Sequence, residues 1–182
     1  LEEKANLKSL QLQQEYIGSG IAECRVLNQI LEKNIAELDE KVNTILDYEK
    51  RSVLNDREFK LQLRDYFLTE IQFLILSQEI DKNCSRDHLK VLFFYDEDKQ
   101  DTQGRILDYL KSLFGPRVLI FSFDSGFIEE PMIKLLLTSY HITTFPAVVV
   151  EDEVFQGATS VKTLLAEICH KLPGDVPKEC TI

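Results

Sequence analysis

Apolar residues along the chain follow two different rhythms, and the change falls near residue 88. Up to about residue 85 they recur at alternating spacings of three and four. Ile17, Ile21, Cys24, Asn28, Leu31, Ile35, Leu38, Val42 and Ile45 share one stripe, with Leu7 and Leu10 extending it upstream. This seven-residue repeat predicts a coiled-coil seam, with Asn28 at an a position where asparagine fixes register. A single amphipathic helix packed on its own chain fits the same periodicity. The stretch "SVLNDRE" (52–58) offers a break, and a second helix is expected from about Asp56 to about Ile80. Phe59, Leu63, Phe67, Ile71, Phe73 and Leu74 spread over more than one face of it. Such a helix must be covered on more than one face, so it is expected between the first helix and the C-terminal half of the chain. Residues 1–85 contain no proline, and their only glycines are Gly18 and Gly20. The whole region therefore reads as a long helical hairpin or coiled coil.

From Leu89 onward strand and helix alternate. "LKVLFFY" (89–95) is a nearly continuous apolar run, as expected of a central parallel strand covered on both faces. A helix follows in "QGRILDYLKSLF", ended by Gly115-Pro116, then a strand in "RVLIFSF" (117–123). "PMIKLLLTSY" reads as a helix with Pro131 at its first position. "FPAVVVEDEVFQG" (145–157) holds two strands joined at Glu151-Asp152, and "SVKTLLAEICHKL" (160–172) is a last amphipathic helix. The order is β-α-β-α-β-β-α, which makes residues 86–172 an α/β domain and leaves 173–182 as a C-terminal tail.

Composition narrows the function. The net charge of −10 is spread along 182 residues and forms no basic stripe, which argues against nucleic acid and anionic lipid as partners. No run of about 18 apolar residues occurs, so no membrane insertion is expected within this chain. The chain starts at Leu1 rather than a methionine. A removed upstream signal or anchor, and with it an extracytosolic location, is an expectation from that start.

Three local features, taken with the element order, resemble the thioredoxin superfamily over roughly Leu89 to Leu172. "TTFPAVVV" brings a proline into a buried strand, where it donates no ladder hydrogen bond. "YHITTFP" is similar to the family's Y-x-I-x-x-x-P, and "FQGATSVKTLLAEI" to the glycine that leads into the family's C-terminal helix. The resemblance implies a three-layer α/β/α domain, a cis Phe145–Pro146 bond facing the turn after the first strand, and a Cys-x-x-Cys at that turn. Counted from the strand, the two thiol positions fall on Lys99 and Thr102 of "KQDT". An amine and a hydroxyl cannot perform dithiol exchange, so the expectation is a redox-inactive domain. Its interaction groove would involve Tyr95, Lys99, Thr102, Phe145 and Pro146, because the family's extended ligands lie beside this proline. No cofactor is expected. The alternative is a thiol-disulfide oxidoreductase or thiol-conjugate transferase working through a non-standard site.

Other chemistry is thin. Asp96, Glu97, Asp98 and Asp101 form an acidic turn that lacks the glycine and closing glutamate of a calcium loop, so it reads as a solvated turn. His88, His141 and His170 belong to no nucleophile–base constellation, and "DSGF" (124–127) lacks the flanking glycine of a nucleophile elbow. Cys169, His170 and Cys180 have no zinc-ligand spacing, and no metal is expected. If the first two helices fold back about residues 52–56, Cys24 and Cys84 stand at equal height on two arms of 28 residues. A Cys24–Cys84 disulfide is then accessible, and the turn residues of "PGDVP" allow Cys180 to reach Cys169. The alternatives are four unrelated reduced thiols, or Cys24 as a d-position contact across a parallel homodimer through residues 17–45. A protein partner is the expected ligand class.

Overall fold

A computed structural model describes residues 1–19, 23–51, 56–97 and 102–181, with side chains throughout except at 17, 46–51 and 56. The chain divides into two compact units, Leu1–Ser85 and Arg86–Ile182.

The first unit contains α1 (Glu2–Gly18), α2 (Cys24–Arg51) and α3 (Asp56–Asn83). Sequence periodicity predicts one unbroken first helix, and this is corrected: α1 ends at Gly18 and α2 restarts at Cys24. The cause is local. "GSG" places two glycines and a serine in succession, and each glycine costs about 1 kcal/mol in a helix interior. Ile17 therefore lies on a different helix from Asn28, and Ile21 falls outside the described residues. From Cys24 onward the stripe survives. Leu31 is buried, and Asn28, Ile35, Leu38, Val42 and Ile45 are half-buried, on a helix that packs against α3 of the same chain. Cys24 is disulfide-bonded to Cys84, and the Lys41 ammonium reaches Asp65 Oδ2 at 2.9 Å and Thr69 Oγ1 at 2.8 Å. These ties run in opposite senses along the two helices, so α2 and α3 form an antiparallel hairpin. Along α3, Phe67, Ile71, Phe73, Leu74, Leu76 and Ile80 are buried, while Leu61 and Ile75 are exposed. Among the described residues no helix is long and apolar enough to cross a membrane.

The second unit is α/β: β1 (Leu89–Tyr95), α4 (Thr102–Phe114), β2 (Val118–Asp124), α5 (Pro131–Ser139), β3 (Ala147–Val150), β4 (Glu153–Gln156) and α6 (Val161–Lys171). The strands form one sheet in the order β2-β1-β3-β4. β1 pairs in parallel with β2 and antiparallel with β3, and β3 pairs antiparallel with β4. Alternation along the strands sorts the core into two faces. Leu89, Val91 and Phe93, with Val118, Val148 and Val150, meet Leu107, Leu110 and Phe114 of α4 and Leu164 and Ile168 of α6. On the other face Leu92, Phe94, Phe121, Phe123, Ala147 and Val149 are all buried, and the Phe94 and Phe123 rings stack at 5.5 Å.

Residues 173–180 are not a free tail. Cys180 is bonded to Cys169 and packs on the α4–α6 core. The Arg117 guanidinium donates to the carbonyls of Pro173 and Asp175. Neither link has a local signature, since the guanidinium lies more than fifty residues upstream. A charged lock closes the end of the sheet where β1 begins. The Lys90 amide donates to Glu151 Oε1 at 2.8 Å and the Glu151 amide returns to the Lys90 carbonyl at 2.9 Å. The Lys90 ammonium lies 3.2 Å from Glu151 Oε2.

Candidate functional site

At the opposite end of the sheet, three chain segments meet: the turn after β1, the loop after β2 and the approach to β3. Register brings them together. Phe94 pairs with Ala147, so Pro146 stands beside Tyr95, the last residue of β1, next to where the acidic turn begins. The Phe145–Pro146 peptide bond is cis. From the other side the Ser125 amide donates to the Tyr95 carbonyl at 2.8 Å, folding the β2 loop over the same end.

The expected groove residues divide among these segments. Tyr95 is half-buried and continues the Leu89–Val91–Phe93 row, its ring 5.6 Å from that of Phe93 and packed on the core. Phe145 and Pro146 are half-buried, and Thr102 is the exposed first residue of α4. Lys99, Asp98 and Asp101 lie outside the described residues. Neither cysteine of the second unit reaches this end. Cys24 and Cys84 are bonded to each other in the helical unit, and Cys169–Cys180 ties the last turn of α6. The last turn of α6 belongs to the far end of the sheet, where the Lys171 ammonium contacts the Val150 carbonyl. That is a strand length away, about 20 Å for seven residues.

Two glutamines hold the site, and sequence reasoning passed over both. Gln156, at the end of β4, accepts hydrogen bonds at Oε1 from the amides of Thr143 (2.8 Å) and Thr144 (3.0 Å). Its Nε2 donates to the His141 carbonyl at 3.5 Å. The backbone from His141 to Pro146 is thereby fixed from the neighbouring hairpin, and the Gly157 amide adds a bond to the Pro146 carbonyl. Gln103, buried in the first turn of α4, donates from Nε2 to the Thr159 carbonyl (3.1 Å) and accepts from the Thr159 amide at Oε1 (2.8 Å). Its side chain imitates a strand neighbour and pins the loop ahead of α6. A glutamine in either position carries no local signal, because its partners are set only by the fold. His141 is exposed and occupies positive φ (56°) in the turn after α5, where its amide donates to the Thr138 carbonyl at 3.1 Å.

Electrostatically this end is acidic. Asp124 closes β2 with only 8 % exposure, and its Oδ1 accepts from the Gly126 amide at 2.9 Å. Burial pushes its carboxyl above the ordinary aspartate range. The Gly126 amide and a hydrogen bond shared with Glu97 pull it back, and the charges of Asp96 and Glu129 push it further up. The acidic turn read from sequence therefore gains carboxylates from β2 and its loop. Glu130 is turned to another task, accepting the Met132 amide at 2.7 Å to cap α5 behind Pro131. Among the described residues no three His, Cys, Asp or Glu side chains are arranged to hold a metal ion.

Comparison with known proteins adds little to this geometry. No protein-family model matches the chain, and no curated protein matches it. Among solved structures the chain is similar to one described as a malarial protein, with 19 % identity and a TM-score of 0.40. That match covers 48 % of this chain and 99 % of the other.

Proposed function

We propose that residues 86–182 form a thioredoxin-like domain without dithiol chemistry, acting as a protein-interaction module carried on a helical unit. One observation carries this reading: the strand-to-helix turn that adjoins Pro146 contains no thiol, and all four cysteines are paired with one another. The strand order, with β1 between a parallel and an antiparallel neighbour, supports the family resemblance. What remains at this end is an ordered backbone beside Pro146, half-buried Phe145 and the carboxylates of Asp96, Glu97, Asp124 and Glu129. That is material for recognition by extended backbone pairing rather than for electron transfer. The enzymatic alternative lacks a sulfur at the turn. A homodimer through residues 17–45 would have to compete with the α2–α3 hairpin for the same stripe.

The test uses the full chain with Cys24→Ser and Cys84→Ser, so that sulfur in the helical unit cannot contribute. Reduction of a protein disulfide by a thiol donor should proceed at the uncatalysed rate. Extended peptides selected by display on this variant should lose about tenfold or more in affinity with Phe145→Ala, as expected of an aromatic anchor. Catalysed turnover, or binding indifferent to substitutions at Phe145 and Thr144, would overturn the reading.

A further inference from the structure

We propose that the Cys24–Cys84 disulfide is an exchangeable redox centre of the helical unit, while Cys169–Cys180 is a fixed structural link. The two pairs differ in surroundings. Cys24 is exposed and Cys84 half-buried, whereas both Cys169 and Cys180 lie against the buried α4–α6 core. Thiol–disulfide exchange needs a sulfur that an incoming group can reach, and Cys24 offers one.

The pair is also asymmetric in exposure. Cys24 is the first residue of the 28-residue α2, at the positive end of that helix. Cys84 comes directly after the last residue of α3, and its sulfur, bonded to that of Cys24, lies in the same pair of helix-end fields, so exposure rather than a dipole separates the two. An accessible sulfur beside a shielded partner is the division of labour between an attacking and a resolving thiol. The Asn83 carbonyl lies 3.5 Å from Cys24 Sγ and provides an acceptor for the protonated thiol once the bridge is open.

The reaction balances with a disulfide compound as co-reactant. In the reduced pair, the Cys24 thiolate attacks the co-reactant's disulfide. A mixed disulfide forms on Cys24 Sγ, and the first sulfur of the co-reactant leaves as a thiolate. Cys84 then attacks Cys24 Sγ, the Cys24–Cys84 bond forms, and the second sulfur leaves. Two electrons pass from the pair to the co-reactant, and the protons of Cys24 and Cys84 end on its two thiols. With a thiol in excess the same steps run backwards.

The experiment equilibrates the full native chain in glutathione buffers of graded ratio, quenches with acid, and locates free thiols by mass tagging. Cys24 and Cys84 should become labelled at a less reducing ratio than Cys169 and Cys180, and at least about tenfold faster, as accessibility dictates. In Cys84→Ser, Cys24 should be trapped as its glutathione mixed disulfide about tenfold faster than Cys84 is in Cys24→Ser. Opening of Cys169–Cys180 first or at the same ratio would overturn the proposal. So would opening of Cys24–Cys84 only together with loss of the helical circular-dichroism signal, or equal trapping rates in the two variants. The wild-type comparison needs no variant to fold. The outcome is separate from recognition at Pro146, because both sulfurs lie in the first unit.

Discussion

At the scale of single residues, the end of the sheet beside Pro146 is shaped by groups whose roles depend on what faces them. Asp124 is the clearest case. Its carboxyl is raised chiefly by burial, so the folded chain holds that proton more firmly than the unfolded chain does. Between the ordinary aspartate value and the raised one, the unfolded state loses the proton first. Stability from this group is therefore greatest at low pH and falls as pH rises through that window. Asp124→Asn keeps an acceptor for the Gly126 amide and removes the buried charge. It should raise stability at pH 7 relative to wild type and leave it nearly unchanged at pH 3, as measured by urea unfolding at both values. A wild-type advantage that grows with pH would show that the carboxylate is compensated by its surroundings.

Between elements, the decisive contacts are side chains standing in for backbone. Gln103 joins the first turn of α4 to the loop before α6 through two hydrogen bonds with Thr159, and the residue is 4 % exposed. Gln103→Leu removes both bonds and leaves the Thr159 amide and carbonyl unpaired in a half-buried position. The expected loss is about 2 kcal/mol, with faster hydrogen exchange at the Thr159 amide than in Gln103→Glu, which keeps the acceptor. Helix starts obey simpler rules. Ser160 accepts from the Thr163 amide to cap α6, and Pro131 behind Glu130 opens α5. Both are legible as start signals in the chain. The break between α1 and α2 is written there too, in "GSG", but the heptad rhythm runs across it and masks it.

For the molecule as a whole, the two disulfides act on the unfolded chain, each within one unit. Cys24–Cys84 spans 60 residues and Cys169–Cys180 spans 11. Loop-closure entropy predicts that Cys24→Ser with Cys84→Ser costs about 4 kcal/mol, and Cys169→Ser with Cys180→Ser about 3 kcal/mol. Calorimetry of the two double variants measures this directly, since each loss should appear in the unfolding of its own unit. An equal or reversed ranking would mean that strain or residual structure outweighs chain entropy. At this scale the two proposals also divide by unit: recognition is proposed at the acidic end beside Pro146, and sulfur exchange at Cys24–Cys84 of the helical hairpin.

What the sequence determined by itself was the local and periodic part. Alternating and helical spacings placed the strands and helices of residues 89–172, because burial of an apolar face imposes a period on each element. The equal arms of 28 residues on either side of a turn made Cys24 and Cys84 neighbours in height, because helical rise is constant. The absence of cysteine from the turn after β1 was plain from the letters alone. Only the tertiary structure decided the rest. It joined Asp124 to the acidic turn, aimed Gln156 and Gln103 at backbone groups more than ten residues away, and folded residues 173–180 onto Arg117. It also separated an exposed disulfide from a core-packed one. Each of these depends on register between strands or on packing between distant segments, and no spacing within one stretch of chain records which far residue will arrive.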